Sequence, residues 1–218
     1  MPTQLVREAV RIPIGSIAVD ADLHVPAPAA GLVVFAHGSG SSRFSRRNRS
    51  VAGALESAGF GTLLLALLTP DEESVDERTR EHRFDIEMLG ERVVGAIDWA
   101  RTRADLRDLP MALFGASTGA AAALIAAAQR PQAVRAVVSR GGRPDLAGRA
   151  LEAVQAATLL IVGGDDEPVI GLNRDAMRQM RAPVELEIVP GATHLFEEPG
   201  ALAHVTRLAA DWCRRHLS

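Results

Sequence analysis

A serine stands between two glycines, each two positions away, in Gly115-Ala116-Ser117-Thr118-Gly119. An apolar run, Met111–Phe114, precedes it, and an alanine-rich stretch from Ala120 to Gln129 follows. Strand, sharp turn and helix together form the setting in which a serine is presented as a nucleophile. Such a turn strains the serine backbone and crowds its neighbours at −2 and +2, which glycine relieves. The helix start adds N–H groups and partial positive charge where an oxyanion would develop. Read only structurally, the same serine would cap the helix. The preceding strand favours the nucleophile.

A nucleophilic serine needs a base, and the base needs an orienting carboxylate. His194 follows the apolar run Val184–Val189 in Pro190-Gly-Ala-Thr-His-Leu-Phe196, where a loop leaving a strand can reach Ser117. The order serine, acid, histidine along the chain suits that role. Two acids end the run Leu160-Ile-Val-Gly-Gly-Asp165-Asp166: Asp166 is the first choice and Asp165 the alternative, with Asp145 a more distant third. The oxyanion would take the N–H of Thr118 and a second one from Ala36-His-Gly-Ser39-Gly40, with Ser39 the choice. Gly38 and Gly40 let that backbone approach. A dinucleotide fingerprint fails here, because Arg43 stands where its third glycine belongs. No second ligand sits at metal spacing from His37, so it reads as a hydrogen-bond donor shaping the loop.

Composition narrows the remaining chemistry. All 24 basic residues of the 218 are arginine, tyrosine is absent, and Cys213 is the only cysteine. That excludes a Walker-A lysine, Schiff-base chemistry, a Ser–Lys dyad, a Tyr–Lys dyad, an intrachain disulfide and multi-cysteine metal patterns. A net charge of −3 offers no footprint for nucleic acid. Met1–Val10 lacks the apolar core of a signal peptide, and no stretch approaches the ~20 apolar residues that span a bilayer. No membrane or nucleic-acid partner is expected, and a cytoplasmic location is the default expectation. With 47% hydrophobic and 23% charged residues, a sizeable core is expected in one domain, 1–218.

The elements that must hold these residues alternate. Gly31–Ala36, Gly61–Leu65, Met111–Phe114, Val134–Val138, Thr158–Val162 and Val184–Val189 read as strands, mostly continuous apolar runs covered on both faces. Helices are expected over about 46–58, 80–103, 118–130, 146–156, 171–181 and 199–216. The fold class is therefore α/β, a mostly parallel sheet with helices on both faces. Val6–Ile12 and Ile17–Val25 alternate like an antiparallel hairpin turning near Gly15. Two charge runs, Arg43/Arg46/Arg47/Arg49 and Asp71–Glu77, read first as a solvated loop or helix start. The arginines, at a strand's C-terminal end, are also placed to receive an anionic substrate.

These residues resemble the α/β-hydrolase superfamily over nearly the whole chain. Ala36-His-Gly-Ser-Gly-Ser-Ser-Arg43, Ser139-Arg-Gly-Gly-Arg-Pro-Asp-Leu146, Ile161-Val-Gly-Gly-Asp-Asp166 and Val189-Pro-Gly-Ala-Thr-His-Leu-Phe-Glu-Glu198 are similar to a dienelactone-hydrolase-related group of small bacterial serine hydrolases. The resemblance implies Ser117, Asp166 and His194 as a triad. It departs from dienelactone hydrolase proper, which has a cysteine nucleophile, so that enzyme's specificity does not carry over. Only about twenty residues separate Val138 from Leu159, too few for a lid domain. Arg140 and Arg143 leave a strand near the expected site; with Arg43 they are candidates for binding an anion or for structural salt bridges.

The expected function is cleavage of small carboxylic esters or thioesters through an acyl-enzyme, with no metal or organic cofactor. A non-catalytic interaction protein on the same scaffold is the rival reading. The oligomeric state is left open.

Overall fold

The computed structural model describes residues 6–217. Strands β3 (Leu32–Ala36), β4 (Gly61–Leu65), β5 (Met111–Ala116), β6 (Val134–Arg140), β7 (Ala157–Gly163) and β8 (Val184–Val189) lie parallel, preceded by β1 (Val6–Ile14) and β2 (Ile17–Val25). The hairpin is antiparallel, pairs Ile14 with Ile17 across its turn, and extends the sheet beyond β4. Among the described residues the strand order is β1-β2-β4-β3-β5-β6-β7-β8. Strands β3, β4, β5 and β7 are buried at every position, as continuous apolar runs require. Strand β8 alternates instead, putting Glu185 and Glu187 on one side of an edge.

Helices cover both faces. Helices α3 (Ile86–Thr102) and α4 (Thr118–Gln129) pack on one; α1 (Arg46–Ser57) and α6 (Ala201–Leu217) pack on the other. Phe35 and Phe114, neighbours on β3 and β5, have ring centroids 4.8 Å apart beneath α1 and α6. Both are fully buried, so Phe114→Ala would cost roughly 3–5 kcal/mol. That packing locks together the two strands whose ends carry Ser39 and Ser117.

Sheet order explains why those ends matter. From β3 the chain moves outward to β4, then crosses back to β5 on the other side of β3. The order in which strands are added across the sheet reverses at β3, and in such sheets the loops on either side diverge to leave a crevice.

The helices differ from expectation in three places. The acidic run forms helix α2 (Pro70–Thr79), separated from α3 by Arg80 in the left-handed region (φ 63°) and a new cap at Asp85. Its start is a capping box: Thr69 Oγ1 accepts from Glu72 N–H, and Glu72 returns the bond to Thr69 N–H. Between β6 and β7 lies only a 3-10 segment, Pro144–Ala153, broken at Gly148 (φ 53°). Helix α5 (Glu167–Met177) begins earlier than expected, directly after Asp166. No helix among the described residues is long and apolar enough to cross a membrane.

Candidate active site

Ser117 occupies the turn from β5 into α4 with φ 51° and ψ −122°, a conformation side chains other than glycine rarely adopt. It stands at the N-cap position, yet its side chain makes no capping hydrogen bond. The hydroxyl is thus left for other work. The flanking glycines are forced by backbone contact. A Cβ on Gly115 would lie 2.4 Å from Ala120 Cα, and one on Gly119 would lie 2.3 Å from Ala36 O and 2.4 Å from His37 O. The elbow therefore rests directly on the end of β3.

His194 and Asp166 meet as neighbours. The imidazole Nδ1 lies 2.7 Å from Asp166 Oδ2, with Asp166 the more buried of the two. With Nδ1 carrying the proton, the ring donates to the carboxylate and Nε2 becomes the basic nitrogen. Strand exits make the pairing: Asp165 N–H donates to Ala192 O at 3.0 Å, and a Cβ on Gly163 would sit 2.3 Å from that same carbonyl. The two loops run in backbone contact, which brings the next acid beneath the histidine. Asp165 itself is exposed. Asp145 is held by Arg143 at 2.7 and 2.8 Å.

The Arg140–Gly141 peptide links the two halves of the site. Ser117 N–H donates to Arg140 O at 3.2 Å, and Gly141 (φ 50°) faces His194, where a Cβ would come 2.9 Å from its carbonyl and 3.6 Å from Cε1. No hydrogen bond joins Ser117 Oγ to His194 among the described residues.

At the oxyanion loop the geometry brings Ser39 and Thr118 together. Gly38 permits it, since a Cβ there would be 3.0 Å from Ser117 Cβ. Ser39 N–H, however, points at Thr118 Oγ1, 2.9 Å away, and the two hydroxyl oxygens are also 2.9 Å apart. Chain order points to Ser39 but not to this bond, which depends on a side-chain rotamer of Thr118. His37 is both donor and acceptor. Its Nδ1 donates to Gly38 O at 3.0 Å and its Nε2 accepts from Leu67 N–H at 3.2 Å. Burial lowers its pKa, outweighing the bond to Gly38. Alongside lies a cavity of about 220 Å³ lined by Ser39, Leu67, Leu89, Glu73, Asp76 and Arg83. A larger cleft of about 510 Å³ sits at the β1–β2 side, among Arg7, His24, Arg49 and Glu56, away from Ser117.

Of the candidate anion-binding arginines, Arg143 is held by Asp145, and Arg43 and Arg140 have different fates. Arg43 turns toward β2, 3.6 Å from both Asp20 and Asp22, and stacks on Phe44. It is a structural tie. Arg140 is 7% exposed and makes no ion pair or side-chain hydrogen bond among the described residues. Burial, and then the charge of Arg47, lower its pKa to about 10. No group of three or more His, Cys, Asp or Glu side chains among the described residues could hold a metal ion.

The dienelactone hydrolase family description matches residues 19–216. A crystal structure of a dienelactone hydrolase from Anabaena variabilis is 54% identical, covers 99% of this chain and all of its own, and superposes with a TM-score of 0.97. Est1E from Butyrivibrio proteoclasticus, 16% identical over 95% of this chain and 98% of its own, shares the fold with a TM-score of 0.78. A Mycobacterium tuberculosis protein provisionally named a phosphoribosyl transferase is 55% identical over 210 residues, 96% of this chain and 46% of its own length. The chain thus spans about half the length of the curated relatives it matches.

Proposed function

The chain belongs to the dienelactone hydrolase family and has its α/β-hydrolase fold, and from that premise we propose that it cleaves small carboxylic esters or thioesters with Ser117, His194 and Asp166. The observation that carries the reading is the 2.7 Å bond between His194 Nδ1 and Asp166, set beside a serine in a strained turn with an unengaged hydroxyl.

In the proposed reaction His194 Nε2 takes the Ser117 hydroxyl proton as Oγ bonds to the acyl carbon. The carbonyl electrons move onto oxygen, where Thr118 N–H at the α4 start and a donor from the Ser39–Thr118 pair stabilise them. Collapse breaks the bond to the leaving group, which takes the proton from His194. Water then gives a proton to His194 and attacks the acyl carbon, and Ser117 leaves reprotonated. Asp166 stabilises the imidazolium throughout. These groups complete the reaction without a cofactor. The same proposal gives the enzyme a small-molecule partner in the cytoplasm, with no part for nucleic acid or membrane.

The test is covalent. A fluorophosphonate should add to Ser117, as located by peptide mass spectrometry, and Ser117→Ala should take up none. Folded wild-type protein that stays unlabelled would overturn the reading and favour a binding scaffold.

A further inference from the structure

Helix α1 begins with charges of the wrong sign. Arg46, Arg47 and Arg49 occupy three of its first four positions and no acid sits in its first turn, although the helix dipole already makes that end partly positive. Arg49 is accounted for by Asp22, 3.0 Å away. Arg47 reaches Glu197 Oε1 at 2.9 Å, but its Nε is sealed from solvent without an acceptor. Arg46 is exposed and has no acid partner among the described residues.

Beneath this turn lies Arg140. It is in register with Ile161 of β7, and cross-strand partners share a face, here the one covered by α1 and α6. The residue is buried, its charge is close enough to Arg47 to feel that cation, and its Nη1 is sealed with no acceptor. A cation buried without a counter-charge is strongly unfavourable, so folds seldom keep one unless something else supplies the anion. The acids do not: none contributes to the electrostatics of Arg140, Glu197 is taken by Arg47, and Glu198 accepts from Thr193 Oγ1 through Oε1.

We propose that Arg140, Arg47 and the first turn of α1 form an anion subsite beside the nucleophile, and that it holds a phosphate group carried by the ester substrate. Its place beside the reacting groups follows from backbone contacts: Arg140 O accepts from Ser117 N–H, Gly141 packs on His194, and Glu197 is three residues past His194. Phosphate is preferred by charge. With Arg47 offset by Glu197, Arg140 leaves one unmet positive charge, and the helix N-terminus adds its free N–H groups and partial positive charge. A phosphomonoester, close to doubly charged at neutral pH, meets both, and helix N-termini suit phosphate oxygens. A carboxylate, with one charge and two oxygens, meets Arg140 and leaves the helix end unmet. The phosphate is an anchor and is not cleaved. Its role in substrate choice rests on Ser117 being the nucleophile.

The test titrates the full chain with inorganic phosphate and, separately, acetate, followed by calorimetry. Phosphate should bind in the millimolar range and acetate roughly tenfold more weakly or worse. Arg140→Met and Arg47→Gln should each weaken phosphate by about tenfold, the loss of one charge-assisted contact. Without phosphate, Arg140→Met should melt at or above the wild-type temperature, because an unpaired buried charge is replaced by an apolar side chain. A structural role would instead lower it. Should Arg140→Met fail to fold, that role is supported against the proposal, and Arg47→Gln still reads the site. Absent phosphate binding, equal binding of acetate, or unaltered binding in both variants would each overturn it. Hydrolysis supplies the second arm: 2-acetoxyethyl phosphate should exceed p-nitrophenyl acetate in its sensitivity to Arg140→Met by about tenfold in kcat/KM. Equal sensitivity counts against the subsite. Fluorophosphonate labelling of Ser117 without phosphate binding would sink this inference alone, whereas absent labelling would sink the nucleophile.

Discussion

Ser39 donates its backbone N–H to Thr118 Oγ1 at 2.9 Å, and the hydroxyls of the same two residues lie 2.9 Å apart. Three hydrogens serve two bonds: the Ser39 N–H, the Ser39 hydroxyl and the Thr118 hydroxyl. Whichever hydroxyl donates to the other, one hydroxyl hydrogen is left over beside Ser117. The pair can therefore offer an oxyanion a side-chain donor as well as backbone ones.

Thr118→Val, which keeps the shape and deletes the hydroxyl, should lower kcat on a short p-nitrophenyl ester by roughly tenfold to a hundredfold with little change in KM. Thr118→Ser should restore most of it. If Thr118→Val turns over as fast as wild type or faster, the hydroxyl competes with the oxyanion for Ser39 N–H, and the donor role is wrong.

Asp166→Asn should lower kcat by about 10³–10⁴, because an amide no longer stabilises the imidazolium and can select the wrong tautomer. Asp165→Asn should stay close to wild type, since Asp165 is exposed and only its N–H is engaged with the histidine loop. Steady-state kinetics on the two variants decides it. Equal losses would leave the 2.7 Å pair without catalytic meaning.

Two glycine replacements should move stability in opposite directions. Gly119→Ala drives a methyl to 2.3 Å from Ala36 O, so backbone must shift, and a loss of more than ~2 kcal/mol is expected. Gly53→Ala in α1 meets nothing within 4 Å and should gain about 0.5–1 kcal/mol from helix propensity. Urea unfolding midpoints read both. A mild Gly119→Ala would mean that the elbow and the β3 end are not in rigid contact.

Acid should loosen the oxyanion loop through His37. Burial lowers its pKa in the folded protein, so below the ordinary value of about 6.5 the unfolded chain binds the proton first. Stability contributed by neutral His37 is present above that pH, declines as pH falls, and levels off below the lowered native pKa. Protonation also removes the Nε2 acceptor used by Leu67 N–H. Urea midpoints between pH 7.5 and 5.5 should fall less steeply for His37→Gln than for wild type. Part of the slope will persist, because burial shifts His216 the same way. An unchanged slope would remove His37 from the account.

Much of this was written in local pattern. Continuous apolar runs marked the parallel strands, the alternation of Ile17–Val25 marked the hairpin, and Gly115-x-Ser117-x-Gly119 marked the elbow, because each follows from neighbours only a few residues apart. Helix α2 was obscured. Its acids read as a solvated loop or helix start, and it is the Thr69–Glu72 capping box that decides for the helix. The 3-10 segment reads as an ordinary helix over 146–156 because its break depends on the positive φ of Gly148.

The sequence by itself determined the sheet, the candidate nucleophile and a short choice of partners, since periodicity and chain order are local or nearly so. Tertiary structure decided which partner each charged or polar group meets. It put Asp166 rather than Asp165 against His194, turned Arg43 toward Asp20 and Asp22, and left Arg140 buried with no acid. It also directed Ser39 N–H to Thr118. These outcomes depend on distances of a few ångströms between segments up to 79 residues apart along the chain, as Ser39 and Thr118 are. Hydrogen bonds and ion pairs fall away over about that distance, so only packing could choose among them.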